Sequence, residues 1–306
     1  FLDEVRPSLA FFVKYEHWHY YLKELQTRGI PCLSVSAIFR PSQPFFQPWG
    51  GFWRRMLPCY ERIFVQDPES LRLLSGIGMA DSAEVSGDTR FDRVMAVAGS
   101  PVDIPWMEDF LAGRPTLVAG STWPDDENVL STLARNLPQL VLVIAPHDVD
   151  PERLTEVERA FPNSVRFSEC RRICEKGNGP MPKAPVLVVD NIGLLSSLYR
   201  FATIAYVGGG FNRSGIHNIL EAAVHGTPVI FGPRHERSRE ASQLLASGGG
   251  ICIVRGEELT AQVTRLITEP GLRDLLGRAN AAYVKERMGA THSVLRHITE
   301  KRLLTD

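Results

Sequence analysis

Short apolar runs recur along the chain, each bounded by turn residues, and stretches with helical spacing lie between them. Strands are predicted at Ser8–Tyr15, Pro31–Ala37, Arg62–Asp67, Thr116–Thr122, Leu140–Pro146, Val186–Val189, Ala205–Val207, Val229–Phe231 and Gly248–Val254. Helices are predicted at Glu16–Gly29, from Pro68 to Gly78, from Asp125 onward, at Leu194–Tyr199, from about His217, and at Ser238–Leu245. Cys170–Lys183 reads as a polar loop, and Glu257–Leu303 as helical throughout, broken only at Pro270 and Gly289. Strands alternating with helices predict an α/β protein with parallel sheets. Residues 100–115 carry three prolines and little periodicity, and read as a linker between a first domain, 1–99, and a second, 116–306.

The most informative stretch is Tyr206–Gly232. A short buried strand runs into Gly208, Gly209 and Gly210, followed by His217-Asn218, Glu221, and then Gly226-Thr-Pro228 before the next strand. Glycines let a backbone turn tightly or approach a ligand where a Cβ would block it. A helix opening at His217 would present free N–H groups to an anion such as a phosphate. Asn218 and Glu221, three apart, share a helix face, and a carboxylate there suits a ribose diol. Read blandly, the same residues form a tight turn and a solvated helix face. A second ligand-facing strand end is Gly120-Ser121-Thr122, where the hydroxyls either hold a ligand or cap the next helix. His147 follows another strand, and Ile192-Gly193 another. Asp148-Val-Asp150 has the form of a metal-binding pair, but no neighbouring motif supports a metal there.

Composition narrows the classes. The 306-residue chain has a net charge of −1, which gives no electrostatic case for nucleic acid. Its five cysteines lack the paired spacing of a zinc site and read as reduced thiols. No apolar run is long enough to span a bilayer. An aromatic and basic cluster, Trp49, Phe52, Trp53, Arg54 and Arg55, suits either a membrane surface or simple core packing.

The segment through Pro233, with its glycines, His217-Asn218, Leu220-Glu221-Ala-Ala223 and Gly226-Thr-Pro-Val-Ile-Phe-Gly-Pro233, resembles the nucleotide-sugar-binding domain of GT-B glycosyltransferases, in particular the bacterial Kdo (3-deoxy-D-manno-octulosonic acid) transferases. Ala119-Gly-Ser-Thr122 resembles that family's Ala-Gly-Ser-Thr-His, with Trp123 in place of His. Ala145-Pro-His147 resembles its Pro-Arg-His, without the arginine. Asp190-Asn-Ile-Gly-Leu-Leu195 resembles its Asp-Thr-Met-Gly-Glu-Leu, and Gly87-Asp-Thr-Arg-Phe-Asp92 its Gly-Asn-x-Lys-Phe-Asp. Glu16 and Trp18 match part of its Glu-Thr-Glu-Leu-Trp-Pro.

The resemblance implies a GT-B fold of two Rossmann-like domains facing a cleft, the first incomplete here. It implies an inverting, metal-independent transfer of Kdo from CMP-Kdo to a lipid A precursor in lipopolysaccharide synthesis. The site would lie at the cytoplasmic face of the bacterial inner membrane, with the membrane anchor and main catalytic base in a part ahead of Phe1. Glu16 is the acidic candidate that remains. Donor contacts fall to Ser121, Thr122, His147, Ile192, Gly193, Gly208, Gly209, Gly210, His217, Asn218 and Glu221, with no cofactor and no metal. Three other readings stay open: a GT-B transferase using a UDP-sugar, an epimerase of the same fold, and a non-catalytic nucleotide-binding domain. Epimerases of that type carry Glu-Glu after the glycines, where this chain has Leu220-Glu221.

Overall fold

The computed structural model describes residues 1–177 and 179–304. It divides into two compact units, Phe1–Arg93 with Arg287–Asp306, and Val94–Glu286. The first holds β1 (Ala10–Val13), β2 (Cys32–Ala37), β3 (Arg62–Val65) and β4 (Ala83–Val85), all parallel and in that spatial order. The second holds β5 (Thr116–Thr122), β6 (Val141–Pro146), β7 (Ser164–Arg166), β8 (Val186–Val188), β9 (Ile204–Val207), β10 (Val229–Phe231) and β11 (Gly250–Cys252). These form one parallel sheet in the order β11-β10-β9-β5-β6-β8-β7. The α/β class with parallel sheets is thus observed.

Strand composition follows position. The central strands β5, β6 and β9 are buried on both faces and read as continuous apolar runs, as helix-covered parallel strands should. The edge strand β1 alternates: Phe11 and Val13 are half-exposed, whereas a fully buried strand was expected. In the second unit the core joins Leu117, Leu142, Ile144 and Tyr206 of the sheet to Leu130, Leu133 and Val157 of the flanking helices.

Two boundaries differ from the expectation, and burial explains both. Residues 100–115 are not an extended linker. Met107–Leu111 is a helix whose Met107, Phe110 and Leu111 are buried, Trp106 packs on Phe167 with ring centroids 4.8 Å apart, and the Val102 N–H donates to Ser197 Oγ. These contacts tie the stretch to the second unit. The last helix, Ala290–Glu300, was assigned to the second domain but belongs to the first. Its stripe of Val294 and Ile298 covers Leu33, Val35 and Phe64 on β2 and β3. The Asp92 carboxylate fixes its start by accepting from the N–H groups of Gly289 (2.7 Å) and Thr291 (2.8 Å). The first half of the polar loop expected at Cys170–Lys183 is instead helix, part of Phe167–Lys176, whose apolar stripe buries Phe167 and Cys170; Asn178 lies outside the described residues.

The glycines after β9 have an internal reason. A Cβ on Gly208 would meet Ser121 O at 2.3 Å, one on Gly209 would meet Gly215 O at 2.3 Å, and one on Gly210 would meet the Gly232 backbone at 2.5 Å. Protein backbone, rather than ligand, fills the space that a Cβ would take. Gly210→Ala should therefore lower stability by about 3 kcal/mol, at the upper end of overpacking costs, because the neighbour is backbone. Gly51→Ala, at a helical position with open space around it, should be neutral or slightly stabilising. Urea unfolding of both variants checks this, and equal midpoints would refute it.

Candidate functional site

In the second unit the chain starts at β5 in the middle of the sheet, builds β6, β7 and β8 on one side, then crosses to β9, β10 and β11 on the other. The order therefore reverses between β5 and β9, where Gly120 is in register with Val207. Open parallel sheets bind ligands outside the carboxyl ends of their strands at such a switch point. Ser121 and Thr122 lie at the end of β5, His147 follows β6, and Gly208–Gly210 follow β9, so these expected positions gather on three neighbouring strand ends.

Asp126 organises this end. It is fully buried in the first turn of the helix Pro124–Asn136. Its Oδ2 accepts from the Trp123 N–H (3.0 Å) and the Gly209 N–H (2.8 Å), and its Oδ1 from the Tyr206 hydroxyl (2.7 Å). Burial pushes its carboxyl above the usual range, and these three donors oppose that shift. The sequence carried a signal for it: Asp126 stands three residues after Trp123, the spacing of a capping box.

The same bonds revise the role of the glycines. The Gly209 N–H is taken by Asp126 and the Gly208 N–H by Gly120 O, so neither is left for a phosphate. The expected helix from His217 is a single turn, Leu220–Ala223, because Gly226 and Pro228 close the segment so soon after it. Thr122 is likewise turned inward: its buried hydroxyl donates to Glu127 Oε1 (2.9 Å), and Glu127 pairs with Arg153. Ser121 is half-buried and held at φ +53°, a conformation side chains rarely adopt.

What remains open to a ligand is a side-chain group. The Trp123 ring stacks on His147 at 4.6 Å, and His147 lies 4.6 Å from His217. The Trp123 indole N–H, a donor only, points at His217 Nε2 at 3.1 Å. His217 Nε2 must then be the acceptor, which leaves its proton on Nδ1. Burial, with His147 adding to it, lowers the His217 pKa and keeps that ring neutral. Directly after it, Asn218 Nδ2 donates to Glu221 Oε1 (2.9 Å) while Asn218 Oδ1 accepts from the Leu220 N–H. Ile192 and Gly193 form an exposed turn after β8, Ile192 87% exposed and Gly193 at φ +89°. Asp150, of the Asp-x-Asp pair, caps the helix Pro151–Ala160 by accepting from the Arg153 N–H. Trp123 was noticed in the sequence only as a departure from a motif, and its link to His217 was not visible there.

Glu16, in the first unit, is exposed, and its carboxylate accepts from the Trp18 indole N–H. Its backbone carbonyl accepts from the Tyr60 hydroxyl (3.1 Å). Because that hydroxyl has one proton, its 3.0 Å contact with His17 Nδ1 requires His17 to donate. His17 Nε2 is then a bare, buried lone pair beside Phe39 and Phe45. In the same unit Arg90, of the Gly87–Asp92 motif, pairs with the buried Asp88 at 2.8 Å, and Lys14 Nζ lies 3.8 Å from that carboxylate.

Residues 1–93 match the family model of the 3-deoxy-D-manno-octulosonic-acid transferase (Kdo transferase) N-terminal domain. A transferase of that name from Rickettsia felis is 27% identical over 277 residues, 88% of this chain and 57% of the relative. One from Bordetella pertussis is 27% identical over 304 residues, 96% of this chain and 69% of the relative. The chain thus spans 57–69% of the length of these two relatives. The solved C-terminal CMP-Kdo binding domain of WaaA from Acinetobacter baumannii shares its fold, with a TM-score of 0.50 and 21% identity over 64% of this chain and 98% of that domain. A UDP-GlcNAc 2-epimerase from Neisseria meningitidis aligns over 96% of this chain and 78% of its own, with a TM-score of 0.60 and 15% identity. These matches bear out the resemblance to Kdo transferases read from the motifs, and the GT-B type of fold. Among the described residues no helix is long and apolar enough to cross a membrane.

Two outcomes follow from the buried groups. Asp126→Ala strands three donors, each worth roughly 1–3 kcal/mol when left unpaired, so unfolding free energy should fall by about 3 kcal/mol or more. A loss below about 1 kcal/mol in denaturant titrations would mean that the clamp is not formed. His17 carries a pH signature. Burial lowers its pKa from 6.5 to about 4, so the neutral ring's contribution is complete above pH 6.5 and is lost as pH falls toward 4. Melting temperature should drop across that window in the wild type and drop less in His17→Phe; parallel curves would refute it.

Proposed function

We propose that the protein is a Kdo transferase, moving Kdo from CMP-Kdo to a lipid A precursor in lipopolysaccharide synthesis, with inversion and without a metal. The observation that carries this reading is the His217–Asn218–Glu221 group at the switch point. There, a neutral ring with its proton fixed on Nδ1 stands beside a carboxylate held by its own asparagine. In this proposal the His217 Nδ1–H meets the CMP phosphate and stabilises the charge that grows as it departs. Glu221 accepts from the ribose hydroxyls, and His147, flat against Trp123, forms the wall beside them. The turn at Ile192-Gly193 offers exposed backbone to the base. Ser121 is the hydroxyl left at the end of β5, since that of Thr122 is spent on Glu127. Gly208, Gly209 and Gly210 set the spacing of the strand ends that carry this group.

On the acceptor side Glu16 is the proposed base. Its carboxylate is exposed and oriented by Trp18, and general-base removal of the acceptor proton is worth on the order of 10²–10⁴ in rate. Activity belongs at the cytoplasmic face of the inner membrane, where a lipid acceptor is met. The half-exposed Phe52 with Arg55 beside its ring, and Trp49 at 63% exposure, offer an aromatic and basic surface to that membrane.

Glu221→Ala should weaken CMP binding by roughly 1–3 kcal/mol, the cost of losing hydrogen bonds to a charged group. Calorimetric titration with CMP and with UDP, with and without EDTA, reads both the effect and the base preference. Tighter UDP binding would turn the reading to a UDP-sugar enzyme, and loss of CMP binding in EDTA to a metal at Asp148 and Asp150. A transfer assay with CMP-Kdo and a lipid A precursor then separates enzyme from binding module: CMP binding without any turnover leaves only the latter.

A further inference from the structure

At the opposite, amino-terminal ends of β5, β9 and β10 lies a cavity of about 460 Å³. Its wall carries Arg114 just before β5, Arg200 and Thr203 just before β9, His225 just before the turn into β10, and Arg273 with Asp274 on the helix Pro270–Lys285. No motif of the donor reading draws on these residues.

Charge in this cavity is unbalanced. Arg114 is held by carbonyls, those of Phe110 (2.9 Å), Leu111 (3.1 Å) and Ala184 (3.4 Å), which fix the guanidinium but leave its charge intact. These bonds use Nε and Nη2, so its Nη1 donors remain. Arg200 lies over the Phe201 ring at 4.6 Å. Among the described residues neither arginine has a carboxylate partner, and the only ion pair in the wall is a loose one, Arg273 to Asp274 at 3.9 Å. Thr203 Oγ1 accepts the Thr116 N–H (3.1 Å), which leaves its own proton to donate. His225 adds no charge: its Nε2 is bonded to Ser196 O (3.0 Å), and burial lowers its pKa. At the floor, the buried Asn280 donates to Thr227 O (2.7 Å). Three guanidinium groups against one carboxylate, with a free hydroxyl donor between them, match the oxygens of phosphate groups. The volume is that of a small-molecule site rather than of a single ion.

We propose that this cavity binds the phosphate groups of a soluble phosphorylated small molecule. Pyrophosphate is the probe. Calorimetry should show binding at millimolar concentration or below, weakening as salt is raised. Arg200→Gln should weaken it by about tenfold or more, the usual effect of removing a charge-assisted bond. Among the described residues Arg200 makes no hydrogen bond that the substitution would remove, and an unchanged melting temperature confirms this variant's fold. CMP affinity should be the same in wild type and Arg200→Gln, which locates the pyrophosphate away from the strand ends proposed for the nucleotide. The inference does not rest on the donor reading, and the CMP arm keeps the two failures apart. No pyrophosphate binding, or binding that Arg200→Gln leaves unchanged, overturns it. Capture by vesicles containing phosphatidic acid without pyrophosphate binding also overturns it, in favour of a lipid head group.

Discussion

The carboxylate of Asp126 is the interaction on which the ligand-facing end of the second unit depends. A buried carboxylate is costly unless its lone pairs are met. Here three donors meet them, from the end of β5, the body of β9 and the loop after β9. Trp123 lies far in sequence from Tyr206 and Gly209, and these internal bonds hold the two segments in one arrangement. Strand ends held by bonds internal to the protein are preorganised, which limits the ordering cost of binding.

Preorganisation has a chemical consequence. A backbone N–H already bonded to an internal carboxylate cannot also cradle a phosphate, so a glycine-rich loop that looks like an anion nest serves as a spacer. Trp123 can only donate, so it decides which nitrogen of His217 carries the proton. Asn218 does the equivalent for Glu221, orienting its carboxylate by donating to Oε1. A histidine in place of Trp123 could exist in either tautomer, so the departure from the family pattern removes an ambiguity that the usual residue would leave.

Much of the fold was legible because parallel strands buried on both faces are short apolar runs with turn residues at their ends, as in Val141–Pro146 and Val229–Phe231. Legibility failed where local pattern and tertiary use diverge. Prolines made 100–115 look like a linker, yet Trp106 and Phe110 find a core there. The helix Ala290–Glu300 has an unremarkable apolar stripe, and only the position of Asp92, some two hundred residues earlier, shows which sheet it covers. In the site, residue types and spacing showed Asn218 with Glu221. They did not show that the Thr122 hydroxyl faces inward, because a hydroxyl at a strand end has either choice until the partner, Glu127, is seen.

The reversal of strand order explains why glycine accumulates where it does. At a switch point the connections leave the sheet in opposite directions, and loops from β5, β9 and β10 must emerge side by side without a helix to separate them. Gly210 and Gly232, from the ends of β9 and β10, touch backbone to backbone, and Gly208 lies against Ser121 in the same way. Gly120, one step earlier on β5, gives up its Cβ space to the Tyr199 hydroxyl and Leu195. Side chains at these positions would push the strand ends apart and with them His147 and His217, whose rings lie 4.6 Å apart. The glycines therefore fix the distances between the side chains at these strand ends through backbone packing.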